Sequence, residues 1–377
     1  GVFHDSRYWD ITAEYAKASP DDLLVRITVA NRGPETAEIH VLPTLWFRNT
    51  WSWGRTGEGY WPKPSITRLR SGHGIVAVHE SLGEYQLTAD AAPDGDPRWL
   101  FTENETNVER LFDAANASRH VKDAFHEAVV HGRMDAVNPR EEGTRAAAWY
   151  RVNVSPGESR VLRLRLTAAG EASPAPFGPG FDEVFTTRIR DADAFYDGVH
   201  GAGLTPEERR VCRQAYAGLL WSKQFYHFIV KDWLEGDPAQ PEPPAARREG
   251  RNAGWKHLYN RDVLSMPDSW EYPWYAAWDL AFHMIPFAKV DPEFAKAQLL
   301  LFLREWYMHP SGKLPSYEWA FDDVNPPVHA WAVWRVYKLT AEKGARDRLF
   351  LERAFQKLLI NFTWWVNRKD VDGHNIF

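Results

Sequence analysis

The sequence predicts a two-domain protein: a β-sandwich followed by a helical domain. Three observations carry this expectation. The first 167 residues alternate short apolar runs with turn residues. A stretch rich in Gly, Pro and Ala then interrupts the pattern at Gly170–Gly180 (GEASPAPFGPG). After it the apolar spacing changes to that of helices. The expected division is residues 1–170 for the β domain, 171–180 for a linker and 181–377 for the helical domain.

In the β domain, Asp22–Asn31 (DLLVRITVAN) alternates, turns at Arg32-Gly33-Pro34, and is followed by Glu38–Phe47 (EIHVLPTLWF), which together read as a hairpin. Further strands are expected at Gly74–Glu80, Glu84–Ala89, Ala146–Val154 and Arg160–Thr167, the last two joined by Ser155-Pro156-Gly157-Glu158. Strands this frequent, with turns between them, suit a sandwich. Leu111–His120 reads as a short helix or a loop insertion.

Beyond the linker, helices are expected over Asp182–Val199, Thr205–Leu234, Trp274–Val290, Glu293–His309, Val328–Lys343 and Ala345–Lys369. Thr205-Pro206-Glu207-Glu208 is a capping box with Pro at the first helical position. Two long connections remain, Glu235–Tyr272 and Pro310–Pro327. Long irregular loops in a compact helical domain are usually functional.

Composition excludes several function classes. Of 377 residues, 44% are hydrophobic and 25% charged, as in an ordinary globular chain. A net charge of −6 with interspersed signs offers no basic face for nucleic acid. No apolar run is long enough to span a bilayer. The single cysteine, Cys212, rules out disulfides within the chain and makes a cytoplasmic setting the default expectation. No phosphate-cradling Gly loop, nucleophile elbow or His-Glu-x-x-His helix occurs, and Asp370-Val371-Asp372-Gly373 reads as a polar turn. No cofactor or metal is therefore expected.

The unusual feature is 19 Trp in a chain that is 14% aromatic. Flat indole faces pack in cores and stack on sugar rings. Asp279 is conspicuous among them, in Trp270–His283 (WEYPWYAAWDLAFH). If Pro273 opens the helix, Trp274, Trp278 and Phe282 form one stripe and Tyr275, Asp279 and His283 the next. An aspartate there is either satisfied by a neighbour such as Tyr275, His283 or an Arg, or kept protonated to serve as an acid. Trp255 in the first long loop, Tyr317, Glu318, Trp319 and Asn325 in the second, and Arg48, Asn49, Trp51 and Trp53 in Leu42–Gly54 mix rings with hydrogen-bonding groups. That mixture suits a polyhydroxylated ligand.

WEYPWYAAWDLAFH, the Pro315–Ala332 segment (PSYEWAFDDVNPPVHAWA) and LPTLWFRNTWSWG (Leu42–Gly54) resemble the large bacterial members of glycoside hydrolase family 63. That group includes mannosyl-oligosaccharide glucosidase, and mannosylglycerate hydrolase is similar to it. The resemblance implies an N-terminal β-sandwich followed by an (α/α)₆ barrel, and hydrolysis of an α-glycosidic bond with inversion. It makes Asp279 the general acid and Glu318 a ligand-binding residue. Tyr272, Trp274, Tyr275 and Trp278 become substrate-binding candidates around the acid. Inversion needs a second carboxylate about 6.5–9.5 Å away as general base. The resemblance puts that base beyond Phe377, so residues 1–377 are expected to be an interior, inactive and poorly stable piece with only half of the barrel's twelve helices. The Leu42–Gly54 loop is expected to approach Asp279. A sugar-binding protein without catalysis, or a phosphorylase or lyase on the same architecture, are the competing readings.

Overall fold

The computed structural model describes residues 3–70, 73–317 and 325–374. The chain divides into two compact units, Gly1–Asp193 and Ala194–Phe377.

The first unit is sheet-rich. Its strands are β1 (Trp9–Ser19), β2 (Asp22–Asn31), β3 (Ala37–Val41), β4 (Thr44–Trp46), β5 (Ser65–Arg68), β6 (Gly74–His79), β7 (Gly83–Ala89), β8 (Arg98–Thr102), β9 (Glu142–Gly143), β10 (Arg145–Val154) and β11 (Ser159–Ala168). One sheet runs β1-β2-β11-β7-β6-β5-β9; in the other, β10 pairs with β3, β4 and β8. Side chains from both sheets fill one core, among them Ile66, Ile75, Phe101, Tyr150, Val152 and Leu162.

The expected hairpin does not form. β2 pairs with β1 and β11 on its two sides, whereas β3 pairs with β10 in the other sheet. Asn31 sets this crossing: its Nδ2 donates to the carbonyls of Glu35 at 2.7 Å and Val154 at 2.9 Å, and its Oδ1 accepts from the Gly33 amide at 2.8 Å. The run expected as one strand to Phe47 is broken at Leu42-Pro43, because proline cannot donate to a ladder. Both pieces still align on β10, Val41 opposite Tyr150 and Thr44 opposite Ala147.

Two short helices, α1 (Val108–Phe112) and α2 (Ala124–His131), lie between β8 and β9. The residues expected as a linker lead into α3 (Pro179–Val199), whose first turns bury Phe181 and Phe185 against Ala16 and Leu24 of the first sheet. The Arg26 guanidinium lies 4.3 Å from the Phe185 ring centre. The division between units consequently falls inside α3.

The second unit is mainly helical: α4 (Pro206–Trp221), β12 (Lys223–Ile229), α5 (Val230–Glu235), β13 (Tyr259–Ser265), α6 (Ala277–Val290), α7 (Pro292–Leu301), α8 (Val328–Leu339) and α9 (Arg348–Trp364). The capping box opens α4: Thr205 Oγ1 accepts from the Glu208 amide at 3.3 Å, and Glu208 Oε2 accepts from the Thr205 amide at 2.8 Å. The helix expected to reach Leu234 stops at Trp221, however. Lys223–Ile229 instead pairs antiparallel with Tyr259–Ser265, inside what reads from sequence as a loop. Aromatic and β-branched residues suit a strand once a partner is available, and that partner is some 35 residues away in the register. Leu280, Ala281, Met284 and Phe287 of α6 centre the core, with Leu299 of α7, Val333 and Val336 of α8 and Ala354 of α9. Among the described residues, no helix is long and apolar enough to cross a membrane.

Candidate active site

The helix carrying Asp279 begins three residues later than the sequence suggests. Ala276 is extended (φ −129°, ψ 122°) and precedes the first helical residue, Ala277. Pro273 and Trp274 therefore lie in the entering loop. The Ala277 amide donates to the Ser316 carbonyl at 2.9 Å, so this helix start is pinned to the second long connection. Upstream, Asp268 accepts from the amides of Trp270 and Glu271 at 3.1 and 3.0 Å, a turn that holds its carboxyl below the usual carboxylate range.

Asp279 sits in the first turn of α6 and is half-buried. Among the described residues no hydrogen bond or ion pair reaches its carboxylate. The helix is not apolar all round: one face is in the core, while Trp278 and Phe282 are each 41% exposed. These two rings contact each other at 5.7 Å, and Phe282 meets Trp331 of α8 at the same distance. On the next line of the helix, His283 is one turn beyond Asp279 and on the same side. Burial lowers the proton affinity of this imidazole, and the Asp279 carboxylate acts in the opposite sense.

The aromatic candidates separate into two groups. Tyr275 is 1% exposed, with its ring against Tyr226, Phe302 and Tyr307. Trp255 is also buried, among Val230, Leu234 and Leu258, with an edge contact to His309. Both are in the core: the Tyr275 ring packs on Tyr226 of β12, and the Trp255 ring packs against α5. Trp278 and Asn325, in contrast, line one small cavity together with Ser316, Pro327, His329, Asn361, Trp364 and Trp365. Tyr272 and Trp274 form an edge contact at 5.2 Å in the entering loop, and Tyr317 is half-buried. Glu318 and Trp319 lie outside the described residues.

Asn361 and Trp364 on α9, and Trp365 directly after it, carry no functional signal in the sequence, because aromatics on an amphipathic helix normally read as core. His329 belongs with them. It is fully buried, its Nε2–H donates to the Leu299 carbonyl at 2.8 Å, and burial pushes its pKa down to about 4. The imidazole is neutral, with its lone pair on Nδ1, a buried atom that no hydrogen bond from the described residues reaches.

In the first unit, Arg48, Asn49, Trp51 and Trp53 form a local cluster just after β4. Asn49 Oδ1 accepts from the Ser52 amide at 3.2 Å and so shapes the turn Trp51–Trp53. The Arg48 guanidinium lies 5.4 Å from the Trp53 ring centre, and Trp53 meets Tyr60 edge-on. Trp51 Nε1 donates to Glu105 at 3.1 Å, and Lys63 pairs with Glu103 at 2.9 Å and Glu105 at 3.6 Å. Glu103 and Glu105 are far in sequence from Lys63 and Trp51, and only the fold brings these groups together. No group of His, Cys, Asp and Glu able to hold a metal occurs among the described residues.

Comparison with known proteins bears on the helical unit. Residues 272–377 match the family described as the mannosylglycerate hydrolase MGH1-like glycoside hydrolase domain. The whole chain is 45% identical to the uncharacterized protein YMR196W of Saccharomyces cerevisiae, and spans 38% of that protein's length. Among solved structures, a protein described as a kojibiose phosphorylase from the human microbiome aligns with 77% of this chain and 33% of its own, at 8% identity and a TM-score of 0.23. A polysaccharide lyase aligns with 94% of this chain and 56% of its own, at 10% identity and a TM-score of 0.24. The family match supports a glycoside hydrolase-like domain over the segment that holds Asp279, without reaching the finer assignment to family 63.

Proposed function

We propose that the chain is part of an inverting α-glycosidase of glucosidase type, acting at the end of an oligosaccharide or on a small glycoside, with Asp279 as its general acid. The observation that carries this reading is the environment of Asp279 within the matched segment. A structural aspartate in a helix of this kind is normally satisfied by hydrogen bonds. Asp279 is half-buried and receives none from the described residues, so its carboxyl is available to a bound ligand. Trp278, beside it in the chain and 41% exposed, offers an indole face for a sugar ring.

The chemistry follows from protonation. Breaking a glycosidic bond requires the departing oxygen to gain a proton, and a positioned acid contributes typically about 10²–10⁴-fold. The base that activates water in inversion lies, on this reading, outside residues 1–377. Substitution Asp279→Asn in the full-length protein tests the assignment: glycoside turnover should fall by at least two orders of magnitude while sugar affinity is retained. Undiminished turnover in that variant removes Asp279 from the mechanism.

A further inference from the structure

Three residues lining the cavity beside Trp278 are each anchored to the backbone of another segment, and each has one polar atom left over. His329 Nε2–H donates to the Leu299 carbonyl at 2.8 Å, and the neutral ring keeps its lone pair on Nδ1. Ser316 is held through its own carbonyl, which accepts from the Ala277 amide at 2.9 Å, while its hydroxyl has no hydrogen-bond partner among the described residues. Asn361 Nδ2 donates to the Gly312 carbonyl at 2.8 Å, which orients the amide and leaves Oδ1 without a hydrogen bond from the described residues. Ser316 and His329 are 1% and 5% exposed against 41% for Trp278, so the polar pair is at the closed end of the cavity and the indole at its open one.

Buried polar atoms without partners are rare and mark a place for water or a ligand. The kind of group that satisfies these three is limited. His329 Nδ1 and Asn361 Oδ1 can only accept, whereas the Ser316 hydroxyl can also donate. A carboxylate or phosphate would set its lone pairs against both acceptors. An ammonium could donate, but it would meet no charged side chain among the described lining residues, and an unpaired charge is costly to bury. A hydroxyl both donates and accepts. Trp278 and Trp364 line the same cavity with apolar surface suited to the C–H face of a sugar.

We propose that this cavity is the subsite that reads one hydroxyl of the bound hexose, which donates to His329 Nδ1 and accepts from Ser316 Oγ, with Asn361 Oδ1 as a further acceptor. This rests on the reading of the helical unit as acting on glycosides, and deepens it: the cavity selects an uncharged sugar and rejects a carboxylate there. His329 and Ser316 determine specificity and take no part in breaking the bond.

The test is calorimetric binding to the full-length protein, using whichever of glucose and mannose binds more tightly and its four monodeoxyfluoro derivatives, each with fluorine in place of one non-anomeric hydroxyl. Fluorine fills the space of the hydroxyl but cannot donate. One derivative is expected to bind about tenfold more weakly than its parent hexose. His329→Gln keeps an amide donor for the Leu299 carbonyl and removes the Nδ1 acceptor. It should weaken the hexose about tenfold and leave that one derivative nearly unchanged, and Ser316→Ala should single out the same derivative. A loss shared equally by the hexose and all four derivatives would mean a merely structural role and overturn the proposal. Unaltered hexose affinity in both variants would mean that water fills the cavity, and it overturns the proposal too, as does failure of both hexoses to bind. None of these measurements involves turnover, so the two readings fail separately. If Asp279→Asn retains glycoside turnover, its role as acid is what fails, and the coupling of one hydroxyl to His329 still stands. If that turnover is lost and no derivative singles out His329, the subsite is what fails.

Discussion

Asn361 reaches from α9 to donate its Nδ2 to the carbonyl of Gly312 at 2.8 Å. Gly312 in turn adopts φ +94°, and a Cβ there would lie 2.3 Å from the Ile360 carbonyl oxygen. The turn before Ser316 and the helix bearing Trp364 are thereby locked together, and Ser316 is the residue that pins the start of α6. Replacement Gly312→Ala meets both backbone strain and a backbone atom that cannot move aside. We expect a loss of at least about 2 kcal/mol in urea unfolding. Asn361→Ala, which only strands a buried carbonyl, should cost about 1–3 kcal/mol. An unchanged midpoint for Gly312→Ala would show that the two segments are not coupled.

Tyr275 and Trp278 make opposite predictions although they are three residues apart. Removing the ring of Tyr275 empties a packed site between Phe302 and Tyr307, so Tyr275→Ala should destabilise by about 3–5 kcal/mol. Trp278→Ala deletes a ring that is 41% exposed and should leave the unfolding midpoint within about 1 kcal/mol. Its effect should appear as weaker sugar binding, by roughly tenfold, measured by calorimetry. Unaltered sugar affinity in Trp278→Ala would remove that indole from the site.

His329 gives a pH dependence with a definite sign. Burial lowers its pKa to about 4, against about 6.5 in an unfolded chain. Below pH 6.5 the unfolded state takes up the proton first, so stability is full above that value and is lost as pH falls toward 4. The loss attributable to His329 is on the order of 3 kcal/mol. Denaturant titrations at pH 7 and 4.5 should differ less for His329→Gln than for the parent. If the difference is the same in both, His329 is not the group responsible.

Asp22 should contribute to the acid stability of the first unit. Burial would raise its pKa, but hydrogen bonds from Arg165 and Thr167 outweigh this and hold the carboxyl below its ordinary value. The contribution is present above the unfolded carboxylate pKa of about 3.9 and disappears as pH drops through the lower folded value. Asp22→Ala leaves the Arg165 guanidinium without its carboxylate, holding only the Pro176 carbonyl, and should cost about 3 kcal/mol at neutral pH. Circular dichroism of the sheet-rich unit on heating would report it; a parental melting curve for Asp22→Ala would contradict the assignment.

Local physics made some of this molecule legible from its residues alone. The change from strand to helical periodicity separates a sheet-rich from a helical region, and the Thr205–Glu208 box marks a helix start because its partners are three residues apart. Asp279 and His283 share a helix face for the same reason. What tertiary structure decided involves partners far away in the chain. Lys223–Ile229 is a strand because Tyr259–Ser265 completes its ladder, and β2 leaves β3 because β11 occupies its free edge. Trp255 and Tyr275 look like ligand platforms in sequence, yet both are core residues, since an indole or phenol ring serves either purpose and burial settles which. Asn361, Trp364 and Trp365 join Trp278 only through the packing of α9, and the hydrogen bonds that link Ser222, Ser265 and His283 form only once three separate elements meet. Periodicity reports the face a side chain occupies; only the packed chain supplies what that face meets.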